Sequence, residues 1–264
     1  MRWKPKHAVA IVTGASSGIG RCLCELLAGR GATVIAVARR EDRLQNLPAS
    51  DGGRVIPVVG DITQETVRHN IVEAAAAVRD GGLDLLVNNA GIGAIGPFAD
   101  ASPDRLRRVM EVNFFAPVEL TRLLIPNLRA GRAPVICNIG SVLGHRAVPN
   151  KSEYCASKFA LHGWSDALRA ELAGDGIQVT IVSPSTTKSE FFDSLIESDA
   201  GQASQSLGSW TPQRVARTTL ASIRARRSEV ICSLGGKALV YADRLSPPLM
   251  NAILARTCSK STSA

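Results

Sequence analysis

The first twenty residues leave this chain few ways to fold. An unbroken apolar run, AVAIV at residues 8–12, stops at Thr13 and passes into Gly14, Gly18 and Gly20. A helical pattern through Leu23, Leu26 and Leu27 follows. A short continuous apolar run is the signature of a strand buried on both faces, which occurs where helices cover a parallel sheet. The alternation then repeats. The pattern predicts strands at 33–38, 55–59, 83–87, 135–139, 177–182 and 229–232. Helices are predicted over 63–78, over 103–128 with a bend near Pro117, over 153–172, and from Pro212 onward. Strands and helices in this order build right-handed crossovers. The expected fold class is therefore α/β: a doubly wound (Rossmann-type), mostly parallel seven-stranded sheet, with residues 1–264 forming a single domain.

Composition narrows the function classes. A chain of 264 residues with 45% hydrophobic and 20% charged content suits one globular domain and not a disordered chain. The formal charge of +8 raises the question of nucleic acid, but the arginines are scattered and not interleaved with aromatics, so none is expected. The six cysteines lack both a disulfide framework and zinc spacing. No metal is expected, and reduced cysteine points to a cytoplasmic setting. The basic amino terminus lacks the apolar length of a signal peptide, and no run of about 18 apolar residues suggests a spanning helix.

Glycines between a first strand and a first helix let backbone N–H groups approach an anionic pyrophosphate. The turn Gly14, Ser16, Ser17, Gly18, Ile19, Gly20 is thus a dinucleotide-binding candidate, though its spacing differs from G-x-G-x-x-G. The adenosine ribose should meet the end of the second strand. An acid there would hold a 2′-hydroxyl; this chain has Arg39 and Arg40, whose guanidinium groups suit a 2′-phosphate. NADP(H) is the expected cofactor. Further on, Tyr154 and Lys158 stand at i and i+4 on a predicted helix, one turn apart on one face. An ammonium beside a phenol is expected to draw its pKa down toward neutrality. Alone, such a pair is usually the edge of an amphipathic helix.

Taken together, the glycine turn, Asp61, Asn88 to Gly91, Asn113, Ser141 and Tyr154-x-x-x-Lys158 resemble the short-chain dehydrogenase/reductase family, over the chain to about residue 190. The resemblance implies roles. Tyr154 would be general acid or base, Lys158 would tune it and bind the nicotinamide ribose, and Ser141 would hydrogen-bond the substrate oxygen. Asn113 would hold a water relaying protons from Lys158. Asp61, Ile62, Asn89, Ala90 and Gly91 would line the adenine side, and Pro184, Thr187 and Ser189 the nicotinamide side. Ser185 stands where the family usually has glycine, and Ser189 where it has threonine. His145 and His162 read as solvated or core histidines.

Residues 190–209, polar and rich in serine, read as a substrate lid. Residues 237–256 form an apolar segment divided by Pro247 and Pro248, expected to pack on the body or a partner subunit. The alternative is peripheral membrane contact admitting a lipophilic substrate. The expected activity is hydride transfer between NADP(H) and a carbonyl/secondary alcohol pair, in a homo-dimer or homo-tetramer by family analogy. The competing reading is a non-catalytic dinucleotide-binding regulatory protein of the same fold.

Overall fold

The computed structural model describes residues 3–48, 52–187, 190–191, 195–197 and 209–261. Its strands are β1 (Val9–Thr13), β2 (Thr33–Ala38), β3 (Arg54–Val59), β4 (Leu85–Asn88), β5 (Val135–Ile139), β6 (Gln178–Ser183) and β7 (Glu229–Ile231). They form one parallel sheet in the order β3-β2-β1-β4-β5-β6-β7. The helices are α1 (Gly18–Ala28), α2 (Glu41–Gln45), α3 (Glu65–Ala76), α4 (Pro103–Met110), α5 (Ala116–Arg129), α6 (Ser152–Glu171), α7 (Pro212–Arg224), α8 (Leu234–Leu245) and α9 (Pro247–Ser261).

Alternation along each strand fills two cores. Val12, Ala36, Leu85 and Cys137 pack with Leu23 and Leu27 of α1 and Leu220 and Ile223 of α7. Their strand neighbours Ile11, Ile35, Leu86 and Ile136 face the other way, onto Ile71 of α3, Leu120 and Leu124 of α5, and Leu168 of α6. Successive strand residues point to opposite faces. This is why both sides of the sheet could be read as one unbroken apolar run.

The predicted long helix over 103–128 proves to be α4 and α5 joined by a π turn at Glu111–Phe115. The interruption lies before Pro117, which occupies the second position of α5, where a missing N–H costs nothing. The π turn carries Asn113 inward, as such turns often do at functional sites. Helix α4 starts where it does because Ser102 Oγ accepts from the Arg105 N–H and Pro103 presets the first turn.

Helix α4 is tied to the start of α6 by a buried ion pair. Arg105 Nε and Nη2 donate to Glu153 Oε1 at 2.9 and 2.7 Å, and Ser152 Oγ donates to Glu153 Oε2 at 2.8 Å. Both charged side chains are about as buried as any core residue, 3% and 2% exposed. Glu153 immediately precedes Tyr154, so the pair sets the position of the helix that carries the tyrosine. Removing one partner strands the other charge, at a cost of about 3–5 kcal/mol. Arg105→Ala should therefore lower the melting temperature by about 6–15 °C, read by circular dichroism. The double variant Arg105→Met with Glu153→Leu should recover most of that loss. A shift under about 2 °C for the single variant would show that the pair does not hold the helix.

Candidate active site

Strand β1 pairs with β2 on one side and β4 on the other, so chain order reverses between β1 and β4. A crevice opens beyond the carboxyl ends of strands at such a point. Thr13, at the end of β1, closes its floor. The Thr13 hydroxyl accepts from the N–H groups of Asn89 and Ala90, both at 3.0 Å, and donates to Val87 O at 3.3 Å. Asn89 Nδ2 returns a bond to Thr13 O at 2.8 Å. Gly14 and Gly18 adopt φ of 67° and 55°, the left-handed region that glycine enters without strain. Ser17 at the start of α1 makes no side-chain capping bond, and the first turn of α1 holds no acid. The first amides of α1 thus keep their capacity to bind an anion. These features fit a dinucleotide's pyrophosphate.

One cleft of about 770 Å³ gathers most of the predicted residues. Gly14, Ser16, Ser17, Gly18, Ile19, Arg39, Arg40, Asp61, Ile62, Asn89, Ala90 and Gly91 line one part, with Ser141, Tyr154, Lys158, Pro184 and Thr187 along the rest. Three expectations differ. Gly20 is buried behind the turn: a Cβ there would stand 2.3 Å from Gly14 O, so this glycine serves close helix–strand packing. Asn88 leaves the turn altogether, donating to Asn138 Oδ1 at 2.8 Å and Thr121 Oγ1 at 3.1 Å in the core. Asn113 lies beneath the cleft, 1% exposed, and clamps Ile92 through both backbone groups at 2.9 and 3.0 Å. Ser189 lies outside the described residues.

Tyr154, Ser141 and Lys158 do meet. Ser141 and Tyr154 line the same cleft, close enough for the serine to oppose the rise of the phenol's pKa, and Ser141 Oγ accepts from Leu143 N–H at 3.1 Å. Lys158 Nζ donates to Ile139 O at 2.9 Å and stands 5.7 Å from the centre of the tyrosine ring. The electrostatic expectation needs correcting. Burial pushes the Tyr154 phenol up to about 12, against the opposing pull of Ser141. The same burial draws the Lys158 ammonium down to about 8. Desolvation outweighs attraction because the ammonium is turned toward a backbone carbonyl.

At the ribose end, Arg40 Nε and Nη2 donate to Ser16 Oγ at 3.1 and 2.9 Å. Glu190 reaches across to Arg40 at 3.0 Å and to Arg43 at 2.6 Å. Arg39 is more exposed and stands 3.8 Å from Asp61. Neither Arg43 nor Glu190 is recognisable in sequence as part of this cluster, since about 150 residues separate the carboxylate from the arginines. Ser185 finds a local reason: its Oγ accepts from Ser233 Oγ at 2.9 Å, at the cap of α8. Leu239 of α8 and Leu254 of α9 add an apolar wall to the cleft. His145 and His162 lie outside it and contact each other.

Comparisons with known proteins agree with this architecture. The family described as short chain dehydrogenase matches residues 8–200. The chain is 30% identical over 273 residues to dehydrogenase/reductase SDR family member 7B of Bos taurus, covering 98% of this chain and 84% of that protein. It is 33% identical over 224 residues to the ketoacyl reductase HetN of a Nostoc species, covering 84% and 77%. Among solved structures, a Burkholderia cenocepacia short chain dehydrogenase in complex with NADP superposes with a TM-score of 0.79 at 29% identity, over 96% of this chain and 99% of that one. A Burkholderia phymatum relative in complex with NAD gives 0.82 at 25% identity, over 94% and 96%.

The buried ammonium makes a stability prediction. A depression from 10.5 to about 8 corresponds to about 3 kcal/mol of native-state penalty. That penalty is fully present below about pH 8 and disappears as pH rises toward 10.5, where the unfolded lysine also loses its proton. Lys158→Met should therefore raise the melting temperature at pH 7 by about 2–8 °C, with the gain shrinking by pH 10. A lower melting temperature at pH 7 would mean that the bond to Ile139 O outweighs desolvation.

Proposed function

Because the chain belongs to the short chain dehydrogenase family, we propose that it is an NADP(H)-dependent oxidoreductase interconverting a carbonyl and a secondary alcohol, with Tyr154 as the proton donor and acceptor. The observation that carries the reading is the convergence of Ser141, Tyr154 and Lys158 on one cleft, the last two a turn apart on α6. When bound, the nicotinamide cofactor supplies or accepts the hydride. The chain handles everything else. The Ser141 hydroxyl already accepts from Leu143, so its own proton is directed outward, toward the tyrosine or a substrate oxygen. As negative charge develops on that oxygen, Ser141 stabilises it and Tyr154 transfers its proton to it. A phenol pushed up to about 12 stays protonated, as a donor in the reducing direction must. Lys158 would hold the ribose hydroxyls of the nicotinamide half and offset phenolate charge in the oxidising direction.

Two features support finer assignments. Ser16 and Arg40 together form a donor set for a phosphate monoester, and Arg43 lies close by. A 2′-phosphate would take the place on the arginines that Glu190 holds. Leu239 and Leu254 favour a lipophilic substrate. The exposed Leu245 and Leu249 beside them suit peripheral contact with a membrane from which such a substrate would come.

The test is a series of alkyl ketones of increasing length, assayed with NADPH. Tyr154→Phe should lower kcat by about 10²–10⁴ while leaving NADPH binding intact. Unchanged turnover would refute the mechanism, and binding without turnover in the native protein would favour a regulatory, non-catalytic role. For the cofactor, Arg40→Ala should raise the KM for NADPH by about 10- to 100-fold and that for NADH by less than about threefold. Glu190→Gln should lower the KM for NADPH by up to about fivefold, the scale of an exposed ion pair. Equal effects of Arg40→Ala on both cofactors would remove the NADP assignment.

A further inference from the structure

Outside the cleft, three side chains from distant parts of the sequence converge behind the turn that carries Ser141. His145 follows that turn, His162 projects from α6 two turns beyond Tyr154, and Glu229 opens the edge strand β7. One donor atom from each lies within 4.8 Å of the other two. His145 Nε2 stands 3.5 Å from Glu229 Oε1 and 3.0 Å from Ser183 Oγ. The two imidazoles meet edge to face, with ring centres 4.3 Å apart. His162 Nε2 stands 3.5 Å from Asp166 Oδ2, while His162 Nδ1 is buried without a hydrogen-bond partner.

A plain ion pair does not account for this arrangement. The His145 side chain is 2% exposed and sits against a second imidazole whose Nδ1 is buried without a hydrogen-bond partner. What converges is two imidazoles and a carboxylate, with a serine hydroxyl beside them. Two nitrogens and one carboxylate oxygen are a ligand set for zinc-like ions and a poor one for magnesium or calcium. Tetrahedral ligands about 2.1 Å from a zinc ion stand roughly 3.4 Å from each other. The pair His145–Glu229 already has that spacing.

We propose that His145, His162 and Glu229 form a binding site for a divalent first-row transition metal of the zinc type, with Ser183 or a water as the fourth ligand. Asp166, at the far nitrogen of His162, is placed to orient that ring, as carboxylates behind metal-bound histidines do. The site does not open into the cleft. Its metal would brace instead of react. It would fasten α6, which bears Tyr154 and Lys158, to the turn after Ser141 and to the sheet edge.

The experiment uses the full chain, stripped of metal with a chelator and titrated with Co²⁺ and Zn²⁺. One equivalent of Co²⁺ should bind per chain, with the visible absorption of a tetrahedral ion and no thiolate charge-transfer band. Zn²⁺ should displace it and raise the melting temperature by about 5 °C or more at a hundredfold excess over Kd. Glu229→Gln and His162→Ala should each weaken binding by about tenfold or more. Glu229 is exposed, so its variant reports even if His162→Ala fails to fold. No saturable binding, a thiolate band, or unchanged affinity in Glu229→Gln would overturn the proposal. None of these readouts depends on catalytic turnover, so the metal site and the proposed activity stand or fall separately.

Discussion

The parting of β1 and β4 at their carboxyl ends is the constraint from which the rest of the structure follows. Parallel strands whose connections run to opposite sides leave backbone groups at the fork with no ladder partner. Buried amides left in that condition cost more than the bonds themselves return. Thr13 answers with one hydroxyl, which accepts from two amides of the next strand's turn and donates to a carbonyl. Behind it, Asn88, Asn138 and Ser165 form a buried chain of bonds linking β4, β5 and α6. The cleft keeps its shape because its floor is a satisfied polar network between two apolar cores. The backbone that approaches the pyrophosphate site is held from below.

On that floor, burial works against the charges the site requires. Lys158 is nearly inaccessible, and its single described hydrogen bond goes to a backbone carbonyl. Tyr154 has a desolvated phenol whose raised pKa nearby Ser141 only partly opposes. Both groups are pushed toward their neutral forms, which suits the proton transfer proposed for them and adds nothing to structural strength. Stability lost there is offset next door, where the Arg105–Glu153 pair and the clamp of Asn113 on Ile92 fix the same helix and loop. The stabilising pair and the proposed proton donor are thus adjacent in the chain, at Glu153 and Tyr154.

Most of the fold was legible in the sequence because its signals are local. Every predicted strand is present within two residues of its predicted ends, since continuous apolar runs bounded by glycine have no other good solution. The glycine turn, the arginines after β2 and the Tyr154–Lys158 pair were legible for the same reason. What escaped depends on direction or on distance. Whether Asn88 or Asn89 faces the cleft is a matter of strand parity at a chain end, and the run itself carries no record of it. Gly20 needs its glycine for packing against Gly14, which only the crossing of helix and strand reveals. The sign of the shift at Tyr154 is not legible in the sequence, because spacing on a helix fixes which face a side chain leaves but not where its charged end turns.

The histidine cluster shows the same limit in its strongest form. His145 and His162 are seventeen positions apart and Glu229 lies far beyond both, so no ligand spacing connects them. Their meeting requires the order of β5, β6 and β7 at the sheet edge, with α6 folded back across it. Parallel topology produces such meetings because every crossover returns the chain to the same end of the sheet. Residues that follow the strands therefore gather at one rim, whatever their separation in sequence. That rule collects Gly14, Asn89, Ser141 and Pro184 around the cleft and brings His145 beside Ser183, while Glu229, which opens β7, reaches His145 through the pairing of β7 with β6 at the edge. In a doubly wound chain, chemistry is assembled by the ends of strands, and sequence spacing sees only the parts that lie within a single turn or helix.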